Sequence, residues 1–200
     1  SKLAMMSSGD VADTYQALTS WWPEPEALVA GITPLPQVLS YPAPDDPVAA
    51  MQLWDTLGYL PNDVLTKVDR ASMAVALEVR VPYLDPRVIE FGWTLPRAYK
   101  LENGVSKRIL RQILRRYVPD ELMDRPKLGF SVPLAAWLRG PLRDWAEHML
   151  REDKLEEAGL ESEPVLAAWQ EHLSERDSHQ HRLWTVLMYV AWHQHWNIEG

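Results

Sequence analysis

The sequence predicts an all-α fold, and three observations support that prediction. Apolar residues recur at the three- and four-residue spacing of helices through most of the chain. Alternating strand patterns are scarce, apart from a short extended stretch around Val79 to Pro82. The 200 residues are 46% hydrophobic and include ten tryptophans, which is enough apolar material for a well-buried core.

Capping residues and prolines place the helices along the chain. The first helix is expected from Asp10 to about Thr19, before a break at Trp21-Trp22-Pro23. A proline-rich connector follows, so we divide the chain into residues 1–46 and a helical region at 47–200. Helices are expected in that second region at 47–59, from Pro61 to about Leu77, and at 85–93, 106–117, 133–138, 141–150, 164–173 and 182–196. The last of these is apolar nearly all round and is expected to be a buried element.

Composition excludes several classes of function. The net charge of −8 disfavours a general surface for nucleic acid or anionic membranes, because such surfaces need clustered Lys and Arg. The longest apolar run is far shorter than a membrane span. The chain has no cysteine, which removes disulfides and thiolate nucleophiles and is compatible with a cytoplasmic location.

The helix expected from Pro61 carries charge on two sides. Asp63, Thr66, Lys67 and Arg70 share one face at helical spacing and form an ordinary solvated stripe. Asp69 lies outside that stripe, toward less polar neighbours, so its carboxylate is expected to seek an arginine or a backbone donor. A structural ion pair and a role in shaping a binding site both fit this position.

Period-two alternation around Pro82 places Glu78 and Arg80 on the same side of an extended segment. They can form a salt bridge that holds the turn. Alternatively, Glu78 faces a substrate cleft and its arginine tunes the carboxylate. Asp85, directly before Pro86, is explained by an N-cap.

The helix expected to open at Ser106 has Lys107 and Arg108 in its first turn, where the helix dipole favours anions. Cations at this end suggest a bound anion such as phosphate. The simpler alternative is a solvated basic face that continues through the later arginines.

Lys127 lies in a short loop between Pro126 and Gly129. A fixed ammonium group suits a phosphate or an acyl-adenylate, because it is a compact charge that can follow charge developing during a reaction. An ordinary surface lysine is the alternative. We expect no metal site, since His193 and His195 point to different sides of a helix and no second set of ligands is evident.

Four stretches carry a family resemblance. They read LPNDVLTKVDRASMAVALEVRVPYLD, SKRILRQIL, RPKLGFSVPLAAWL and LWTVLMYVAWHQHW. Across roughly residues 50 to 196 the chain resembles the C-terminal part of glutamine-hydrolysing asparagine synthetases. The resemblance implies the helical half of a synthetase domain of the adenine-nucleotide alpha-hydrolase-like, ATP pyrophosphatase type.

The resemblance also implies a reaction. In that family ATP, with magnesium, adenylates the side-chain carboxylate of aspartate, and ammonia from glutamine then displaces AMP to give asparagine. By resemblance Lys127 contacts the phosphates or the adenylate, and Glu78 faces the acyl-acceptor side. Asp69, Arg70 and Arg80 organise the surrounding cleft, and Lys107 and Arg108 are possible phosphate contacts.

Parts of the family pattern are missing from these residues. The SGGxDS pyrophosphate loop, the strand-rich nucleotide half and the glutaminase cysteine are all absent. We therefore expect an inactive fragment without tightly bound cofactor, whose partners are the upstream nucleotide-binding and glutaminase portions of a parent chain. Two alternatives stay open: a related amide-forming ligase that acts on another carboxylate, and a non-catalytic helical scaffold.

Overall fold

A computed structural model describes residues 10–22, 25–29, 42–123 and 132–196. Short and medium helices dominate these ranges. The α-helices are α1 (Val11–Thr19), α2 (Pro47–Trp54), α3 (Thr66–Met73), α4 (Pro86–Thr94), α5 (Arg97–Lys100), α6 (Arg108–Leu114), α7 (Asp120–Met123), α8 (Leu134–Arg139), α9 (Arg143–Met149), α10 (Glu152–Glu157), α11 (Ser162–Leu173) and α12 (Gln180–Trp196). A π-helix at Asp55–Leu65 and 3₁₀ turns at Pro25–Ala27 and Pro82–Leu84 complete the helical elements. The predicted all-α class is confirmed.

The strands of the described region form one small hairpin that sequence reasoning missed. Strand β1 (Leu101–Glu102) pairs antiparallel with β2 (Val105–Ser106). Asn103 and Gly104 form the connecting turn with φ angles of 50° and 75°, and Asn-Gly is a favoured pair where both turn residues need positive φ. The predicted helix start at Ser106 is therefore wrong, because this residue pairs with Leu101 and α6 begins only at Arg108.

One helical segment runs from Pro47 to Met73, and its start is as predicted. The Asp46 carboxylate accepts a hydrogen bond from the Ala49 N–H at 3.2 Å, and proline occupies the first helical position. The expected new start at Pro61 is wrong, because the chain passes this proline inside the π-helix. The wider turn, with bonds to the carbonyl five residues back, gives the ring room that an α-helix lacks.

The segment ends earlier than the expected position near Leu77. The N–H of Leu77 donates to the Ser72 carbonyl at 3.0 Å, and the N–H of Ala76 donates to the Met73 carbonyl at 3.0 Å. These bonds form a Schellman cap with Ala76 in the left-handed conformation, at φ 57°. The chain beyond the cap is extended, as predicted around Val79, and Val81 has φ −99° and ψ 109°.

Replacing Ala76 with glycine is expected to stabilise the protein by ~1 kcal/mol. An L-residue pays a steric cost in the left-handed region that glycine does not. Urea unfolding followed by circular dichroism would measure the change. Ala74→Gly is the matched control, since Ala74 has right-handed helical angles and glycine there should be neutral or destabilising. Equal effects of the two changes would contradict the assignment of the cap.

The chain divides into two compact units. Unit 1 comprises residues 1–37 and 129–200, and its described part contains α1 and α8 to α12. Its core consists of apolar side chains from all but the first of these helices and from the segments between them: Leu28, Leu134, Leu138, Ala146, Leu150, Leu155, Ala158, Leu160, Val165, Ala168, Trp169, Leu183, Val186, Leu187 and Val190. The predicted division at residue 46 stays a prediction.

Helix α12 contributes one face to the core of unit 1. Leu183, Val186, Leu187 and Val190 are buried. The opposite face is exposed and apolar, and consists of Met188, Tyr189, Trp192 and Trp196. The expectation that this helix is buried nearly all round is wrong, because only one stripe of it packs against α8, α9 and α11.

Unit 2 comprises Val38–Leu128, described over residues 42–123. In this described part the buried apolar side chains are Ala50 and Trp54. Most of its other large apolar residues are partly or fully exposed and line its cavities. Within the described ranges, no helix has the length and apolar character needed to cross a membrane.

Candidate active-site cleft

A cleft of about 770 Å³ lies in unit 2, between α3 and the extended segment that follows its cap. We call it the Asp69–Arg80 cleft. It is lined by Pro61, Leu65, Thr66, Val68, Asp69, Val79, Arg80, Val81, Pro82, Leu84 and Asp85. The helix supplies Asp69, and the extended segment, fixed by Pro82, supplies Arg80. The cleft therefore places one cationic and two anionic side chains on apolar walls.

Glu78 and Arg80 form an ion pair at the edge of this cleft. Their Oε1 and Nη2 atoms are 2.6 Å apart, and the side chains of Arg80 and Glu78 are 85% and 68% exposed. The contact agrees with the predicted alternation. Water screens such an exposed pair, so it contributes little to stability, and both groups are accessible to a ligand.

Asp85 has the structural role predicted for it. Its carboxylate accepts a hydrogen bond from the Arg87 N–H at 2.9 Å and caps α4. It also accepts bonds from the Arg87 guanidinium at 3.0 and 2.8 Å. The guanidinium lowers the pKa of the Asp85 carboxyl, which keeps it ionised in the wall of the cleft.

Asp69 and Arg70 are both exposed, but only Asp69 lines the cleft. Asp69 was expected to pair with an arginine or a backbone donor. Among the residues that the structure describes, its carboxylate has no ion-pair partner. Arg70 projects from the neighbouring position on α3, so its place in the cleft stays a prediction.

Arg108 is engaged within its own part of unit 2. Its guanidinium pairs with Glu102 on β1 and donates to the Ala98 carbonyl at 3.1 Å. Lys107 precedes α6 in the left-handed conformation, at φ 58°, and is exposed. Neither residue lines the Asp69–Arg80 cleft, so the phosphate contact assigned to them stays a prediction.

Lys127, for which the clearest role is expected, lies outside the described residues with the rest of the RPKLGF stretch. Its role and its distance from Glu78 therefore stay predictions. In the described part of the chain, no group of three or more His, Asp or Glu side chains is arranged to hold a metal ion.

Sequence reasoning did not identify the large apolar cavity of unit 2. It has a volume of about 700 Å³ and is lined mainly by apolar residues of the π-helix, the 3₁₀ turn at Pro82–Leu84, α4 and α6. Lys100 lies at this cavity with its Nζ 5.1 Å from the centre of the Trp93 ring. Tyr59 also lines it, and a hydrogen bond to Asp63 raises the pKa of the tyrosine hydroxyl. The apolar positions shared by these helices were the available signal.

Comparison with known proteins identifies the family. The sequence profile of the asparagine synthase family matches residues 2–194. Asparagine synthetase [glutamine-hydrolyzing] 1 of Bacillus subtilis is 33% identical over 143 residues, which are 72% of this chain and 22% of that relative. A protein of Mycobacterium bovis is 40% identical over 151 residues, 74% of this chain and 23% of the relative. The bovine asparagine synthetase [glutamine-hydrolyzing] is 36% identical over 95 residues, 44% of this chain and 17% of that protein.

The chain thus spans less than a quarter of the length of these curated relatives. No solved structure matched it. The family profile begins at residue 2, well before the 50–196 range that carries the resemblance, and it includes α1 and the connector. This chain belongs to the asparagine synthase family.

Proposed function

We propose that this chain is the helical portion of a glutamine-dependent ligase that makes asparagine from aspartate. ATP adenylates the side-chain carboxylate and pyrophosphate leaves; ammonia then attacks the acyl carbon and AMP leaves. The observation that carries the proposal is the Asp69–Arg80 cleft, with an accessible Glu78–Arg80 pair at its edge, in a member of this family. Such a cleft suits a substrate that carries both a carboxylate and an ammonium group.

The roles we assign follow from charge and access. Arg80 binds the carboxylate of the substrate, because a guanidinium offers paired donors to a planar anion. Asp69 lines the cleft without an ion-pair partner among the described residues, and it binds the substrate's ammonium group. Glu78 is accessible while paired with Arg80 and accepts the proton that ammonia gives up as it attacks. Lys127 holds the phosphate or adenylate group.

The nucleotide site belongs, in our proposal, mainly to another portion of the parent chain. The sequence lacks the SGGxDS loop, and the described residues contain no cluster fitted to magnesium. Backbone amides of such a loop are what cradle phosphates in ATP chemistry of this kind. ATP with magnesium would thus bind the intact cytoplasmic enzyme and not this chain alone.

The exposed apolar surface of unit 2 supports the same proposal. Large apolar side chains that line the 700 Å³ cavity, such as Tyr83, Phe91 and Ile113, are more than half or nearly half exposed. A surface of this kind is unfavourable in water and marks a contact with another part of a protein. We propose that the nucleotide-binding portion of the synthetase packs against it.

Glu78→Gln in a full-length enzyme that contains this chain tests the proposal. The substitution preserves size and removes the negative charge, so the proton acceptor is lost. We expect the kcat of amide formation to fall at least tenfold at saturating ammonium, while adenylation continues. Product formation and pyrophosphate release, measured together, separate the two steps.

Glu90→Gln is the matched control, since Glu90 is an exposed carboxylate on α4 that does not line the cleft. It should leave both steps unchanged. An unaltered rate of amide formation in Glu78→Gln would remove Glu78 from the site. If aspartate were also replaceable by another carboxylic acid, the related-ligase alternative would be favoured, and no adenylation at all would favour the scaffold.

A further inference from the structure

A buried polar cluster lies in unit 1, at the C-terminal end of α11. The side chain of His172 is fully buried, at 0% exposure. In the described part of the chain, neither of its ring nitrogens has a hydrogen-bond partner. Its ring stacks on Trp169 with centres 6.0 Å apart and an interplanar angle of 24°. The core thus accommodates the imidazole as an aromatic ring. Protonation would give the ring a second N–H donor, for which the described core provides no acceptor.

Three polar side chains lie near His172: Arg139, His179 and Glu171. From α8, the Arg139 Nε donates to the His172 carbonyl at 2.8 Å. In the segment before α12, His179 is buried, and its Nε2 lies 2.7 Å from a carboxylate oxygen of Glu171 on α11. Glu171 is half exposed and already engaged with His179. A proton on His172 would add a further positive charge that no free anion of this cluster offsets.

We propose that this cluster makes unit 1 sensitive to acid, so that protonation of His172 loosens the packing of α8 and α12 against α11. Burial, and to a smaller degree Arg139 and His179, lower the pKa of His172 below its usual 6.5, although the backbone of Ala135 acts in the opposite direction. The folded protein therefore resists a proton that the unfolded chain accepts. The folded state of unit 1 therefore keeps its full stability above pH 6.5 and loses stability as the pH falls toward the lowered pKa of His172.

The size of the effect follows from this linkage. Below the unfolded value, each pH unit increases the equilibrium constant for opening up to tenfold, until the pKa in the folded state is reached. The effect should be local, because both α8 and α12 contact α11 next to the cluster.

Hydrogen exchange of the full chain, read by mass spectrometry, tests the proposal. Protection factors corrected for the intrinsic pH dependence would be compared at pH 7, 6 and 5. In the wild type we expect peptides of Ser162–Leu173 and Leu134–Arg139 to lose protection as the pH falls from 7 to 5, by at most about tenfold for each pH unit. The His172→Phe variant keeps an aromatic ring against Trp169 and should lose this dependence.

His172→Gln is a second variant that does not titrate and should behave in the same way. His195→Gln is the control, because His195 is exposed near the end of α12 and its loss should leave the wild-type dependence. The proposal would be overturned if protection still depended on pH in both His172 variants. It would also be overturned if His179→Gln abolished the pH dependence and the two His172 variants did not. The wild type gives an independent check by NMR, since a His172 ring that titrates at or above pH 6.5 in the folded chain would also overturn it.

Discussion

Replacing Lys127 with alanine, in a full-length synthetase that contains this chain, is expected to slow aspartate-dependent pyrophosphate release by about 100-fold or more. The ammonium group is proposed to meet the charge that develops on the phosphate as the adenylate forms. Removing a hydrogen-bond donor that stabilises charge developing in the transition state typically lowers the rate by this factor, because water does not replace the donor in a closed site. Pyrophosphate release would be measured with ammonium as the nitrogen source.

Lys67→Ala is the matched control for this prediction. Lys67 is an exposed lysine on α3 that lines neither of the unit 2 cavities, so its loss should leave the rate unchanged. Hydrolysis of glutamine, where the parent enzyme performs it, should also continue in Lys127→Ala. Adenylation at close to the wild-type rate would show that Lys127 has another role.

Replacing Leu187 with alanine is expected to have the largest effect on stability. The side chain is completely buried, at 0% exposure, within the core of unit 1. Truncation removes its apolar contacts and leaves a cavity that the neighbouring helices fill only in part. We expect a loss of about 2–5 kcal/mol in the free energy of unfolding, measured by urea denaturation of the full chain.

The adjacent residue provides the control for this effect. Met188 lies on the same helix and is 38% exposed on its outer face. Met188→Ala removes a side chain of similar size, yet it should cost well under half as much because water already contacts the methionine. Similar losses for the two substitutions would contradict the observed orientation of α12.

Features that depend on neighbouring residues were predictable from the sequence. Helix starts were predicted at Asp10, at residue 47 and at Asp85, and the carboxylates of Asp10, Asp46 and Asp85 each accept a hydrogen bond from a backbone N–H in the first turn. The Glu78–Arg80 contact follows from the same kind of local rule, since alternate residues of an extended segment point the same way. Local geometry alone determines such features.

Other features required the tertiary structure. Proline favours a helix start, so the passage of a continuous helical segment through Pro61 was not expected. The burial of His172 depends on packing between helices far apart in sequence, and a histidine in a polar stretch gives no sign of it. The Asn103-Gly104 turn is a different case, because the Asn-Gly pair is itself a local signal for a hairpin turn with positive φ angles.

The residues that line the cleft were predictable only in part. The family resemblance assigned Asp69, Arg70 and Arg80 to a cleft, and Asp69 and Arg80 line the same cavity. Both residues reach this cavity because a Schellman cap at Ala76 changes the direction of the chain. Such a cap usually has glycine at this position, so the alanine gave no sequence signal for it.

The π-helix at Asp55–Leu65 has a consequence for how such a cleft can change over evolution. Each residue of an α-helix turns the chain by about 100°. Gaining or losing a single residue within the widened turns therefore rotates everything downstream while the helix stays unbroken. Asp69 lies on α3, which begins immediately after this stretch, so one insertion or deletion is enough to turn a different side chain toward the cleft.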